Sequence, residues 1–403
     1  MNYALRTKKM DIMINSTIIK LLSFFTVFFF LLIGNIYGYH VYYVATTGSD
    51  TDSGTSASPF RTLQKGVDIA VAGDTIIVKD GTYGAEGATH YSMPVNINKA
   101  GTSSAWITLK AQHKWKAILD CQFTAHSYIN FEANSAWWKI QDFEIKNGYS
   151  MGIIANSGGA RNIIISGNHI HHIGNRVDTT QIGIVGIYTD AGAQNFTIDG
   201  NVIHDIGRTN TYTNSFDHGI YSHGNLNIVN NIFYRSLNGW HIQTAVNFSG
   251  IIANNTFCGP NMFTGFKQGG QIMLWDAAAG DIVIRNNIFY NSMGAAITSY
   301  NFSQAKGKCS CDNNIIWGMN VVVGAPSSCS NIHNRLNIDP LFVNSSAYDF
   351  HLQSASPAIN TGVTVSIVTK DFDGTKRPQC SVYDLGAFEF ACPDSQSRGL
   401  KKE

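Results

Sequence analysis

Charge is scarce in this 403-residue chain: only 14% of residues are Asp, Glu, Lys or Arg, and 28 basic residues face 27 acidic ones. No positive excess exists to release counterions from a phosphate backbone, so a nucleic-acid partner is disfavoured. Only eight prolines are present, and no Pro-rich or Gly/Ser-rich linker marks off a second domain. No Walker loop, dinucleotide fingerprint or HExxH helix is found, which disfavours nucleotide-cofactor and zincin chemistry. Seven cysteines, an odd number, leave at least one unpaired within a monomer. Cys309, Cys311 and Cys329 lack a second His/Cys cluster at zinc spacing, whereas Cys380 and Cys392 would close a short loop.

What is abundant is glycine, 38 residues, in a composition of strands and turns. The chain opens with Lys8, Lys9 and Lys20, then an apolar run from Leu21 to Ile33, then Asn35 and Gly38. That order predicts a signal peptide over 1–38 and a secreted mature chain. The run is shorter than the roughly 20 residues a membrane helix needs, so no membrane contact is expected after cleavage.

The middle of the chain repeats. NIIISGNHIHHIG, NFTIDGNVIHDIG, NLNIVNNIFYRS, FSGIIANNTFCG, DIVIRNNIFYNS and KCSCDNNIIWGM align on Asn168, Asn201, Asn231, Asn255, Asn287 and Asn314. Three residues before each Asn stand Ile165, Ile198, Ile228, Ile252, Ile284 and Cys311. Two residues after stand Ile170, Ile203, Phe233, Phe257, Phe289 and Ile316. Both columns are apolar, as stacked rungs of a solenoid require. The spacing predicts an all-β right-handed parallel β-helix over 39–336, with the Asn side chains hydrogen-bonded in a ladder. A short amphipathic helix after Ser58-Pro59, using Phe60, Leu63, Val67 and Ile69, is expected to cap its N-terminal end. Residues 337–390 leave the Asn pattern and are expected as a closing region, with 391–403 a tail.

A second strand per rung follows glycine: Gly186-Ile-Tyr-Thr-Asp, Gly219-Ile-Tyr-Ser-His and Gly239-Trp-His-Ile-Gln. Alternation places Ile187, Ile220 and Trp240 inward, and Tyr188, Tyr221 and His241 outward. Asp190, His223 and Gln243, two residues further, also face out. With rungs about 4.8 Å apart these form one polar and aromatic patch.

The opening YYVATTGSDTDSGTSASPFRTLQKGVDIAVAGDTIIVKDGTY resembles that of secreted proteins of the pectin-lyase-like β-helix superfamily. The end, DPLFVNSSAYDFHLQSASPAINTG with DFDGTKRPQ and YDLGAFEF, resembles the choice-of-anchor Q region. Together these imply an extracellular β-helix, often polysaccharide-active. Departures matter: of the polygalacturonase blocks, only Asp217-His218-Gly219-Ile220 is similar to the Gly-His-Gly block. The calcium-binding aspartates and catalytic lysine of family-nine pectate lyases find no counterpart beyond an isolated Lys267. The Tyr-Gly-x-Asp-Pro-His motif of alginate epimerases is absent.

The catalytic candidates are His218, Tyr221, His223 and His241, since His and Tyr transfer protons near neutral pH. His218 or His241 is expected as the base and Tyr221 as the proton donor. Substrate-binding candidates are Tyr188, Asp190, Arg208, Asp217, Gln243 and Trp275. His171, His172, His204 and Asp205 recur at matched corners and are read as structural rather than as a metal site. Asp50-Thr51-Asp52-Ser53-Gly54 starts like a calcium loop without its later glutamate, so a turn is expected there and calcium stays an open cofactor. The first expectation is a secreted monomeric lyase acting on an acidic polysaccharide. The alternatives are a glycoside hydrolase or epimerase, and a non-catalytic glycan-binding or structural surface protein.

Overall fold

Each turn of the chain makes three short strands, and the turns stack so that equivalent strands pair. The computed structural model describes residues 38–174, 183–208, 216–259, 270–275, 280–291, 295–300, 307–318 and 329–392. Within them lie three parallel sheets of 11, 8 and 10 strands, here sheets 1, 2 and 3. One turn shows the path: Arg161–Ser166 in sheet 1, His169–Ile173 in sheet 3, Ile184–Thr189 in sheet 2, then Gln194–Asp199 back in sheet 1. Parallel returns by L-residue strands are right-handed, and the protein is a right-handed parallel β-helix with very few helices. The expected signal segment lies outside the described residues apart from Gly38. Among the described residues no helix is long and apolar enough to cross a membrane.

The asparagines form the ladder. Oδ1 of Asn201 accepts from the backbone N–H of Asn168 at 2.9 Å and from its Nδ2 at 3.0 Å. Asn231 accepts in the same way from Asn201, Asn255 from Asn231, Asn287 from Asn255 and Asn314 from Asn287. Asn334 adds a seventh member, accepting from Asn314 at 2.9 and 2.8 Å. The residue before each one turns left-handed: Gly167, Gly200, Asn230, Asn254, Asn286, Asn313 and His333 have φ between 52° and 67°. Gly and Asn tolerate that conformation best, and it swings the next side chain under the corner. Both predicted columns, from Ile165 to Cys311 and from Ile170 to Ile316, are buried in one core.

Asn231 also donates to the carbonyls of Ile198 and Val229, both through Nδ2. Asn231→Ala therefore orphans several buried groups, each costing about 1–3 kcal/mol. A loss of about 3 kcal/mol is expected in chemical denaturation, and an unmoved midpoint would contradict a ladder that stabilises the fold.

The capping helix is Leu63–Ile69, one turn later than the Ser58-Pro59 start. Its N-cap is Thr62, whose side chain accepts from the Lys65 N–H. Phe60, Leu63 and Val67 are buried. Asp50, from the calcium-like run, instead anchors this start by accepting from the N–H groups of Arg61 and Thr62 and from the Thr62 hydroxyl. Residues from 337 onward pack along the outside of sheet 3: Phe342, Phe350, Leu352, Leu385 and Phe388 cover Val202, Ile232, Ile288 and Ile315. Within them Arg377 and Glu389 form a buried ion pair at 2.7 Å. Cys380 pairs with Cys392, and Cys309 with Cys329, its neighbour in sheet 1. Cys121, Cys258 and Cys311 are buried free thiols.

Candidate functional site

Sheet 2 carries an outward column in register across its turns: Asn130, Ile154, Tyr188, Tyr221, Gln243 and Met273. Their neighbours Ile153, Ile187, Ile220, Ile242 and Ile272 fill the core. Most of the outward column is nevertheless buried; Tyr188 and Tyr221 alone among these six are half-exposed. Two residues further along the strands, His223 and Asp190 flank this window. Ring centroids of Tyr188 and Tyr221 lie 5.7 Å apart, Tyr221 and His223 5.1 Å, and Tyr188 and His223 6.1 Å.

Backbone bonds set His223 in place: its N–H donates to the Thr189 carbonyl, and its own carbonyl accepts from the Thr189 hydroxyl. Its ring Nδ1 lies 3.2 Å from the Val246 carbonyl. A carbonyl only accepts, so Nδ1 carries the hydrogen and Nε2 keeps its lone pair. Burial lowers the His223 pKa below its ordinary 6.5, against the opposing pull of the Val246 carbonyl and Asp190. The imidazole is therefore a neutral base at neutral pH. Burial raises the Tyr221 pKa above 10.0, keeping its hydroxyl a proton donor. The carboxylate of Asp190 accepts from the N–H groups of Gly158 at 2.6 Å and Gly192 at 3.1 Å, which ties it to two turns.

Four of the expected site residues are placed elsewhere. His241 aligns with Gly219 rather than with Tyr221, because Ile220 pairs with Ile242 and Tyr221 with Gln243. At that corner the ring turns inward, 5.8 Å from Phe233 and 6.1 Å from Phe257, with its nitrogens on Ser236 Oγ and the Cys258 carbonyl. The preceding rungs have Gly186 and Gly219 there, where a Cβ would come within 2.5 Å of a carbonyl oxygen of the next rung. His218 is buried beside Trp240, which donates its backbone N–H to the His218 Nδ1. Arg208 and Asp217 are a fully buried ion pair at 3.0 Å, so neither side chain faces a substrate. Gln243 is beside Tyr221 but mostly covered, and Trp275 is half-buried on the rung after it. Lys267 lies outside the described residues.

Burial holds the pKa of His218 and of His241 at about 3, well below the ordinary 6.5. A depressed folded pKa means stability that is complete above 6.5 and is lost as pH falls toward 3. The unfolding midpoint is thus expected to drop steadily below pH 6.5, and a flat acid profile would contradict neutral buried imidazoles.

Other groups are less suited to act on a substrate. Gly148-Tyr-Ser-Met-Gly152 spells G-x-S-x-G. Ser150, however, is fully buried and leads into the strand Met151–Ala155, not into a helix. A cavity beside the N-terminal helix, lined by Arg61, Gln64, Tyr83, Glu86 and Tyr128 among others, contains no histidine. On sheet 3, one ligand atom each from Glu144, His169 and His171 lie within 4.8 Å of one another.

Comparison with known proteins places the chain structurally. Residues 42–195 match the family described as Pel9A-like, right handed beta helix region. The chain is 29% identical over 119 residues to pectate lyase PEL9 of Emericella nidulans, covering 26% of this chain and 28% of that one. It is 27% identical over 146 residues to the uncharacterized protein YwoF of Bacillus subtilis, covering 34% of this chain and 30% of that one. The aligned segments thus span less than a third of either curated relative. The crystal structure of pectate lyase Pel9A superposes with a TM-score of 0.50 at 17% identity, over 88% of this chain and 97% of that one. Tyr188 and Asp190 fall within the matched span, while Tyr221 and His223 lie beyond it. The chain is a right-handed parallel β-helix of the kind seen in Pel9A, with a Pel9A-like region in its first coils.

Proposed function

We propose that this protein is a secreted polysaccharide-active enzyme and that it acts as a lyase on an acidic polysaccharide, with the Tyr188–Tyr221–His223 window as its reaction centre. The observation that carries the reading is the fixed tautomer of His223, whose bare Nε2 stands beside two tyrosines on an open stretch of an otherwise covered face. Nε2 takes the C5 proton of a uronate. The released electron pair forms the C4–C5 double bond, the C4–O bond breaks, and the Tyr221 hydroxyl protonates the leaving oxygen. The base role thus passes from His218 and His241 to His223. The likeness to pectate lyases supports the substrate class, and the N-terminal leader pattern supports secretion. The resemblance of residues 337–390 to a choice-of-anchor Q region suits the same setting.

Asp190 favours a second reading. Its charge reaches Tyr188 and His223, and no Lys or Arg contributes there among the described residues. A carboxylate beside two aromatic faces suits a neutral sugar, bound without chemistry. The purified mature chain, incubated with pectate, alginate, xylan and a neutral glucan, separates the two. Products carrying a new double bond and no added water support the lyase. Binding to a neutral glycan with no product supports the second reading, and a product that has gained water replaces both with hydrolysis.

A further inference from the structure

The corners HIHHI and VIHDI stack so that His171 pairs with His204 on sheet 3 and His169 pairs with Glu144. His172 and Asp205 occupy the same left-handed corner position, with φ of 53° and 50°, and each bends back onto the His before it. The His204 Nδ1 lies 2.6 Å from the Asp205 carboxylate. An ionised carboxylate only accepts, so this nitrogen carries the hydrogen and the His204 Nε2 presents a lone pair. That lone pair faces the His169 Nε2 at 2.7 Å, so His169 donates from Nε2 and keeps the lone pair on Nδ1. His171 is held by His172 at 2.6 Å, Nδ1 to Nδ1, and its Nε2 donates to Glu144 at 3.3 Å, a hydrogen that metal binding displaces. Two oriented imidazoles and a carboxylate thus converge, each imidazole backed by a second group as metal-bound histidines are.

We propose that Glu144, His169 and His171 bind a divalent transition cation of the zinc class, with His204 and Asp205 orienting His169. Their ligand atoms already lie within 4.8 Å of one another, whereas a tetrahedral zinc site spaces them by about 3.3 Å, so modest side-chain movement completes it. Nitrogen-rich donors select zinc, copper or nickel over calcium and magnesium. Lys146, 3.2 Å from Glu144, opposes the cation and must swing away when it binds. This inference is independent of the lyase reading, since it concerns a different sheet.

The test is titration of the metal-stripped full chain with zinc by calorimetry, with calcium as the comparison cation. One equivalent of zinc and no calcium response is expected at the site. Glu144→Gln and His169→Ala should each weaken zinc binding by at least about 10–100-fold, and Lys146→Met should tighten it. His351→Ala is the control, because His351 sits in a separate exposed cluster with Asp349 and Asp373 and should leave binding unchanged. Should His169→Ala fail to fold, imidazole NMR of the wild type, with the His169 and His171 signals shifting on zinc addition, gives the same answer. A wild type that binds no stoichiometric zinc overturns the proposal, as does zinc binding insensitive to Glu144→Gln or abolished by His351→Ala.

Discussion

Replacing His223 with Ala is expected to lower turnover by about two to four powers of ten, the usual range for a positioned acid–base group. Stability should change little, because the ring is half-exposed and makes one side-chain hydrogen bond, to the Val246 carbonyl. Tyr221→Phe should lose turnover as well while keeping the stack with Tyr188 and His223, since only the proton donor is removed. The pH profile supplies the sign. His223 acts in its neutral form, and burial sets its pKa below 6.5, so wild-type activity should hold through neutral pH and fall in acid, and again in strong alkali where the Tyr221 hydroxyl ionises. If both variants keep wild-type turnover on a substrate the wild type degrades, the window is not the reaction centre. His218→Ala and His241→Ala, by contrast, should act through folding, because both rings are buried.

The largest stability effect is expected at Asp217. Its carboxylate accepts from the backbone N–H groups of Ile184 and Arg208, from Asn238 Nδ2 and from the Arg208 guanidinium, all of them buried. Asp217→Ala removes the counter-charge from a guanidinium shut away from water, and breaking a buried pair in this way costs about 3–5 kcal/mol. Replacing both partners, as in Asp217→Leu with Arg208→Met, should recover much of that loss, since the desolvated charge leaves with its partner. Chemical denaturation of the two chains measures the difference. A single variant as stable as wild type, or a double variant worse than the single, would contradict the assignment. Asp217 also opens the strand Asp217–Ser222 that carries Tyr221, so its loss should depress activity without any contact to substrate.

The fold was legible because its determinants repeat in the chain. The six asparagines and the two apolar columns recur at the same offsets, and each offset marks a position where a rung must be polar or apolar to stack. Asn334 was not legible in the repeat because it follows Asn314 by only 20 residues and its rung departs from the apolar pattern. The window was partly legible for the same reason: alternation after Gly186 and Gly219 places Tyr188 and Tyr221 on one outer face, as the register bears out. The rung after Gly239 broke the pattern. The repeated glycine suggested one register, but Gly239 lies two residues ahead of the equivalent position, and the stack aligns Ile242 with Ile220.

The sequence by itself determined which residues stack and which side of a strand they occupy, because both follow from a period that local sterics impose on every rung. Tertiary structure alone decided which outward residues reach solvent. Gln243 and Met273 share a column with Tyr221 yet are covered, and Arg208 meets Asp217 in a fully buried ion pair. It also decided that the histidines of two successive corners face one another on sheet 3. Exposure and inter-rung distance depend on loops and register offsets that vary from turn to turn, and no periodicity encodes them.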